Sequence, residues 1–175
     1  MKRILVLASA LFAFGGSAAF AQLDPNCVGV GAQFSGASSM AQFVYTATTN
    51  ISIQLGVGYT STSTSIDPKP AVEPESESAL EFSIGGKYFL TDKDVDPFIG
   101  IAFRYSKPHE DHTVTGINFL VGGQANLVKK VAIFGQVGIG YTMDSMESTV
   151  STQTVTTKTN TLSLFTGAIG AVFYL

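Results

Sequence analysis

Residues 51–60, ISIQLGVGYT, alternate without a fault: Ile51, Ile53, Leu55, Val57 and Tyr59 fall on one side, and Ser52, Gln54, Gly56, Gly58 and Thr60 on the other. Successive side chains of a β-strand point to opposite faces, so a period of two predicts a strand with one greasy and one polar face. A near copy closes the segment VAIFGQVGIGYT, with Val131, Ile133, Val137, Ile139 and Tyr141 opposite Gln136, Gly138, Gly140 and Thr142. Two strands that share a phase and a terminal Tyr-Thr are predicted to run the same way between the same two surfaces.

Six further segments carry the alternation. ALEFSIGGKYFL sets Leu80, Phe82, Ile84, Tyr88 and Leu90 against Glu81, Ser83, Gly85 and Lys87, and DPFIGIAFRYS sets Pro97, Ile99, Ile101, Phe103 and Tyr105 against Gly100, Ala102 and Arg104. CVGVGAQFS, MAQFVYTAT and TGINFLVGGQANL repeat it more weakly, placing Gln33, Gln42, Asn118 and Gln124 on the polar side and Tyr45 on the apolar side. In TLSLFTGAIGAVFYL the apolar side is Phe165, Ile169, Phe173 and Leu175, with Leu162 and Leu164 out of phase, so a bulge or a strand start is expected near Phe165. The expectation is eight strands.

The solvent for the greasy faces follows from composition. The chain is 45% hydrophobic and 13% charged, with 18 glycines and a mean hydropathy of +0.29, whereas soluble domains carry about 25% charged residues. Beyond the leader no run of about 18 apolar residues offers a spanning helix. A closed β-barrel is the other structure that satisfies every backbone hydrogen bond in lipid. The fold class expected is therefore all-β: an eight-stranded antiparallel up-and-down transmembrane β-barrel preceded by a signal peptide.

The start of the chain agrees. Lys2 and Arg3, an apolar run from Ile4 to Phe14, and Ala19-Phe20-Ala21 form a secretory signal with cleavage expected after Ala21, which gives residues 1–21 as signal peptide and 22–175 as barrel. Cys27, the single cysteine, excludes an internal disulfide and is expected as a small structural residue at the inner end of the first strand. A net charge of −3 argues against a nucleic-acid partner, and none is expected.

Connections sort by length, as an outer-membrane barrel requires. Thr48-Thr49-Asn50, Asp92-Lys93 and Val128-Lys129-Lys130 are the short inner turns; residues 61–78, 106–113 and 144–158 are the long outer ones, joined by the brief GASS after the first strand. Tyr59, Tyr105 and Tyr141 then fall at outer strand ends and Tyr45 and Tyr88 near inner ends, all on the lipid face, as an aromatic girdle at the two interfaces. Tyr174 has inward parity. A soluble eight-stranded carrier would reverse the faces, but a solvated coat needs more charge than Glu81, Lys87 and Arg104 supply.

The polar faces define a lumen network of Gln33, Gln42, Gln54, Glu81, Lys87, Arg104, Asn118, Gln124 and Gln136. With a two-residue Asp92-Lys93 turn, Glu81 is expected directly opposite Arg104, and the pair with the glutamines plugs a bore just wide enough for side chains. A narrow solute path lined by the glutamines is the alternative. His109 and His112, flanking Glu110 and Asp111, are read as a solvated outer loop rather than a metal site, since no further Cys or His completes a ligand set. An enzyme modifying lipid A is the second alternative; no His-x-Ser sequence supports it. No cofactor is expected. The loop STSTSIDPKPAVEPESES, with Asp67, Glu73, Glu75 and Glu77, reads as solvated, and residues 144–161 as a hairpin rising above the membrane whose edge could recruit a partner strand.

At GGKYFLTDKDVDPFIGIAFRY, residues 85–105, the chain resembles the small outer-membrane β-barrel superfamily, the OmpA/OmpX/Ail and opacity-protein type. The likeness extends as a pattern over residues 27–175, and FTGAIGAVFYL resembles the signal read by barrel-assembly machinery, though it ends in Leu175 where Phe is usual. The resemblance implies a Gram-negative cell outer membrane, with outer-membrane lipid and the assembly machinery as partners. It also implies a non-enzymatic structural or surface-interaction role through the outer loops, for which an unidentified surface partner is expected.

Overall fold

The computed structural model describes residues 25–36, 38–62, 77–91, 95–109, 111–150 and 153–175. The expected leader at 1–21, the acidic loop residues Asp67, Glu73 and Glu75, the Asp92-Lys93 turn and Glu110 lie outside them. Eight strands follow in chain order: β1 (Cys27–Ser35), β2 (Ser38–Thr48), β3 (Ile51–Thr62), β4 (Glu77–Phe89), β5 (Val95–His109), β6 (His112–Val128), β7 (Val131–Val150) and β8 (Gln153–Tyr174). Each pairs antiparallel with the next, and β1 pairs with β8, so the sheet closes into one up-and-down ring. No strand is left as a full-length edge, which is the hazard of an open sheet.

The alternation decides which face looks inward. Ile53, Ile99 and Ile139 are 43%, 48% and 50% exposed, whereas Gln124, Lys87 and Glu81 are 1%, 3% and 6% exposed. The apolar face is the outside of the ring and the polar face its interior. The interior glycines are what let the ring close round long side chains. A methyl group built on Gly85 would stand 2.8 Å from the Ile101 carbonyl oxygen, whereas one on outward Gly135 would meet nothing within 4 Å.

Two short turns are tighter than the sequence suggests. β2 passes to β3 through Thr49-Asn50, where Thr48 Oγ1 accepts from the backbone N–H groups of Asn50 and Ile51 at 3.2 and 3.1 Å. β6 passes to β7 through Lys129-Lys130. These turns, the β4–β5 connection and both ends of the ring of strands lie at one end of the barrel, here the short-turn end. The opposite, long-hairpin end is uneven, because β1 has 9 residues while β7 and β8 have 20 and 22.

Two expectations need correction. Glu81 stands opposite Ser106, not Arg104, and Arg104 stands opposite Ser83. The cause is the connection: Leu90 N–H donates to Pro97 O at 2.8 Å, so the chain between β4 and β5 is longer than a two-residue turn and the register moves by two. The outer connections are shorter than read, since β5 reaches His109, β6 begins at His112, and these two residues pair across the hairpin rather than lying in a free loop. The hairpin expected over residues 144–161 is present: β7 runs to Val150 and β8 begins at Gln153, in a stretch whose Thr and Val residues favour strand.

The out-of-phase leucines have the expected cause. Gly138 pairs with Thr166 and Ile139 with Leu164, which leaves Phe165 as the extra residue of a bulge with φ of 60°. Below it the odd residues of β8 face outward; above it the even ones do, which is why Leu162, Leu164 and Ile169 are all exposed.

Candidate functional site: the barrel interior

The interior divides into layers. Toward the long-hairpin end, Gln33, Gln42, Gln54, Arg104, Asn118 and Gln136 line one chamber together with Met40 and Leu120, leaving about 50 Å³ for water. Gln42 Nε2 donates to Gln33 Oε1 at 2.6 Å across β1 and β2. The buried Oε1 atoms of Gln42 and Gln136 and the Oγ1 of Thr166 have no hydrogen-bond partner among the described residues. Buried polar atoms of this kind are costly unless paired, and the free volume suits one or a few water-sized groups.

Glu81 and Arg104 form the roof of the chamber. Arg104 Nε lies 2.5 Å from Glu81 Oε1, with the side chains 31% and 8% exposed. The other carboxylate oxygen accepts from Ser38 Oγ at 3.1 Å and Thr60 Oγ1 at 3.0 Å, so the carboxylate ties β2, β3, β4 and β5 together.

Below the chamber the character changes. Val44, Phe89, Phe98, Ala132, Phe134, Val172 and Tyr174 form an apolar cluster inside the ring, with the Phe89 and Phe98 rings 5.7 Å apart edge to face and Cys27 packed against it. Lys87 ends inside this layer: its Nζ lies 3.7 Å from the centre of the Phe134 ring and 4.3 Å from that of Phe98, with no hydrogen-bond partner among the described residues. The ring faces carry negative charge density, which is the attraction that holds an ammonium there. Nearest the short-turn end, Gln124 donates weakly to Asn126 Oδ1 and to the Tyr174 hydroxyl, both at 3.4 Å.

The nine interior residues named from the sequence therefore do not form one network. Six line the chamber, Glu81 joins them through Arg104, and Lys87 and Gln124 lie in separate layers. The plug is polar at both ends, with the aromatic layer between the chamber and the Gln124 group. Phe89, Phe98 and Phe134 were legible by parity, since each sits in phase with Lys87, Arg104 or Gln136, but attention to polar residues passed over them. Ser38, Thr60 and Met40 were also missed; Met40 accepts from Ser83 Oγ at 2.9 Å.

The five tyrosines Tyr45, Tyr59, Tyr88, Tyr105 and Tyr141 all face outward. Tyr59, Tyr105 and Tyr141 lie toward the long-hairpin end and Tyr45 and Tyr88 toward the short-turn end, where the Tyr45 hydroxyl donates to Asn26 Oδ1 at 3.0 Å. His112 Nε2 lies 2.8 Å from Asp144 Oδ1, joining β6 to β7, and among the described residues no three metal-ligating side chains gather. No family model, curated protein or solved structure matches the chain.

Proposed function

We propose that the protein is an integral outer-membrane β-barrel of a Gram-negative envelope, non-enzymatic, with a structural or surface-interaction role through its long-hairpin end. The observation that carries this reading is the direction of the two faces. A ring whose exterior is a continuous band of Ile, Val, Leu and Phe, and whose charges at the level of that band, Glu81, Lys87 and Arg104, lie inside, is stable in acyl chains and insoluble in water. Tyrosines at both margins of that band support the same reading, since their rings suit the boundary between lipid and water.

The plugged bore argues for a scaffold over a conduit. An aromatic layer with an ammonium wedged in it closes the path below a chamber that holds only a few waters, so ions meet a dry barrier. The polar hairpin of β7 and β8, rising past the tyrosine margin, is the part of the molecule best placed to meet a surface partner.

Two measurements test this. Unboiled protein in detergent should migrate differently from boiled protein on a gel, and identical mobility would remove the closed-barrel basis. In planar bilayers the reconstituted protein should give no discrete conductance steps; steady openings would replace the scaffold with the narrow channel.

A further inference from the structure

The outer part of β8 has one bare edge. β1 and β8 share only the pairs from Gly29 with Tyr174 to Phe34 with Ile169, whereas β7 accompanies β8 up to Val150 and Gln153. Past Ile169, β8 has no ladder partner on its β1 side among the described residues. Leu162 pairs with Tyr141, so residues 153–161 lie beyond the tyrosine margin.

The hydrogen bonds at the other end of the strand tell which residues offer this edge. Leu175 N–H donates to Val28 O on the β1 side, and Tyr174 N–H to Lys130 O on the β7 side. Leu175 faces outward and Tyr174 inward, so the outward residues of β8 turn their N–H and C=O groups toward β1. The bulge at Phe165 hands the outward face to the even residues. Thr154, Thr156, Lys158 and Asn160 therefore carry the bare N–H and C=O groups.

Edges left in water are commonly blunted by shortness, by Pro or by several charges. Residues 153–161, QTVTTKTNT, hold neither Pro nor Gly, and Lys158 is their only charge. From these features we propose that the bare edge of β8 takes up an extended segment of a partner protein, antiparallel to β8, with a carboxylate set against Lys158. This rests on the membrane reading above. A row of alternating backbone donors and acceptors is matched by another backbone, and the antiparallel ladder is the more stable one. Lys158 makes no ion pair among the described residues, so an acidic side chain across from it is the one that gains. A second copy does not fit. Two copies in one membrane point the same way, so their β8 strands meet only in parallel, with Lys158 beside Lys158 and like charges adjacent.

The test uses the full barrel in phospholipid nanodiscs and a fluorescent peptide with the sequence of residues 141–150, the part of β7 that already pairs with this stretch of β8. The peptide carries Ser145→Glu, so that the same register sets a carboxylate against Lys158. Wild type should raise the anisotropy of this peptide. A version N-methylated along its backbone, which keeps every side chain and loses every donor, should not bind. The peptide with Ser145 kept should bind about three-fold more weakly. In the barrel, Thr156→Pro should weaken binding about ten-fold or more, because it removes a bare N–H while the β7–β8 ladder loses no hydrogen bond. Equal binding by Thr156→Pro or by the N-methylated peptide would overturn the edge as the site, and equal binding with and without the glutamate would overturn the acidic partner. Barrels that pair with one another through an edge blocked by Thr156→Pro would overturn it in favour of a second copy. Each sample is checked for heat-modifiable mobility; a wild type lacking it overturns the membrane reading and the edge with it, whereas a folded barrel that ignores the peptide overturns the edge alone.

Discussion

Glu81 and Arg104 pair diagonally: each stands opposite a serine, and the arginine reaches one step toward the long-hairpin end to meet the carboxylate. The offset brings the guanidinium to the level where Ser38 and Thr60 already donate to Glu81, so one site concentrates three interactions from four strands. Removing only Arg104 leaves a carboxylate that is 8% exposed with two hydroxyl partners and no cation. Arg104→Leu is expected to destabilise by about 2–4 kcal/mol, the lower figure allowing for the partial exposure of the arginine. Glu81→Gln with Arg104→Leu should recover most of that loss in urea unfolding from lipid vesicles.

Lys87 is expected to behave in the opposite way. Contact with two rings returns about 2 kcal/mol, while burying an ammonium without a hydrogen bond costs several. Met fits the same space and is content among aromatic rings. Lys87→Met should therefore raise the unfolding midpoint, whereas Phe134→Ala, which empties the layer, should lower stability by about 3–5 kcal/mol. A midpoint that falls in Lys87→Met would show that the ammonium has a partner the present geometry lacks.

Glycines on the two faces should separate cleanly. A side chain at Gly31 collides with the Ala171 carbonyl oxygen across the β1–β8 ladder, while Gly135 faces open space outside the ring. Gly31→Val is expected to abolish folding into vesicles. Gly135→Val should be neutral or slightly stabilising, because it adds a β-branched apolar group on the lipid side. Equal loss in both variants would contradict the assignment of faces.

A charge on the exterior distinguishes lipid from water as the surrounding medium. Ile99 is 48% exposed, so Ile99→Arg in a soluble barrel would cost little. In a bilayer near mid-depth it should cost about 2–4 kcal/mol, read as reduced folding yield in vesicles at fixed lipid ratio. An unchanged yield would count directly against insertion.

How much of this was legible in the sequence depends on how local the cause is. Face assignment needs only parity, so the outward Ile51, Ile53, Val57 and Tyr59 and the inward Gln54 follow from the chain alone, as does the bulge at Phe165 from two leucines out of phase. Register needs the length of a turn, and the Glu81 to Arg104 alignment failed by two residues because the chain between Leu90 and Pro97 is not a minimal turn. The division of the interior into a polar chamber and an aromatic layer depends on which strands are neighbours at a given height. Parity gives Phe98 and Phe134 the inward face, but only the sheet places both beside Lys87. The extent of β7 and β8 was legible from composition instead: above the tyrosine margin the hairpin is rich in Thr and Ser without a clean apolar alternation, so strand propensity rather than a period marks it.

The short ladder between β1 and β8 bears on how the ring comes into being. It joins the strands farthest apart along the chain, so it closes the largest loop and is the last contact to repay its entropic cost. With only the rungs from Gly29 to Phe34 to complete it, this zipper is the kinetic bottleneck of assembly, and also the place from which the finished cylinder would first unravel.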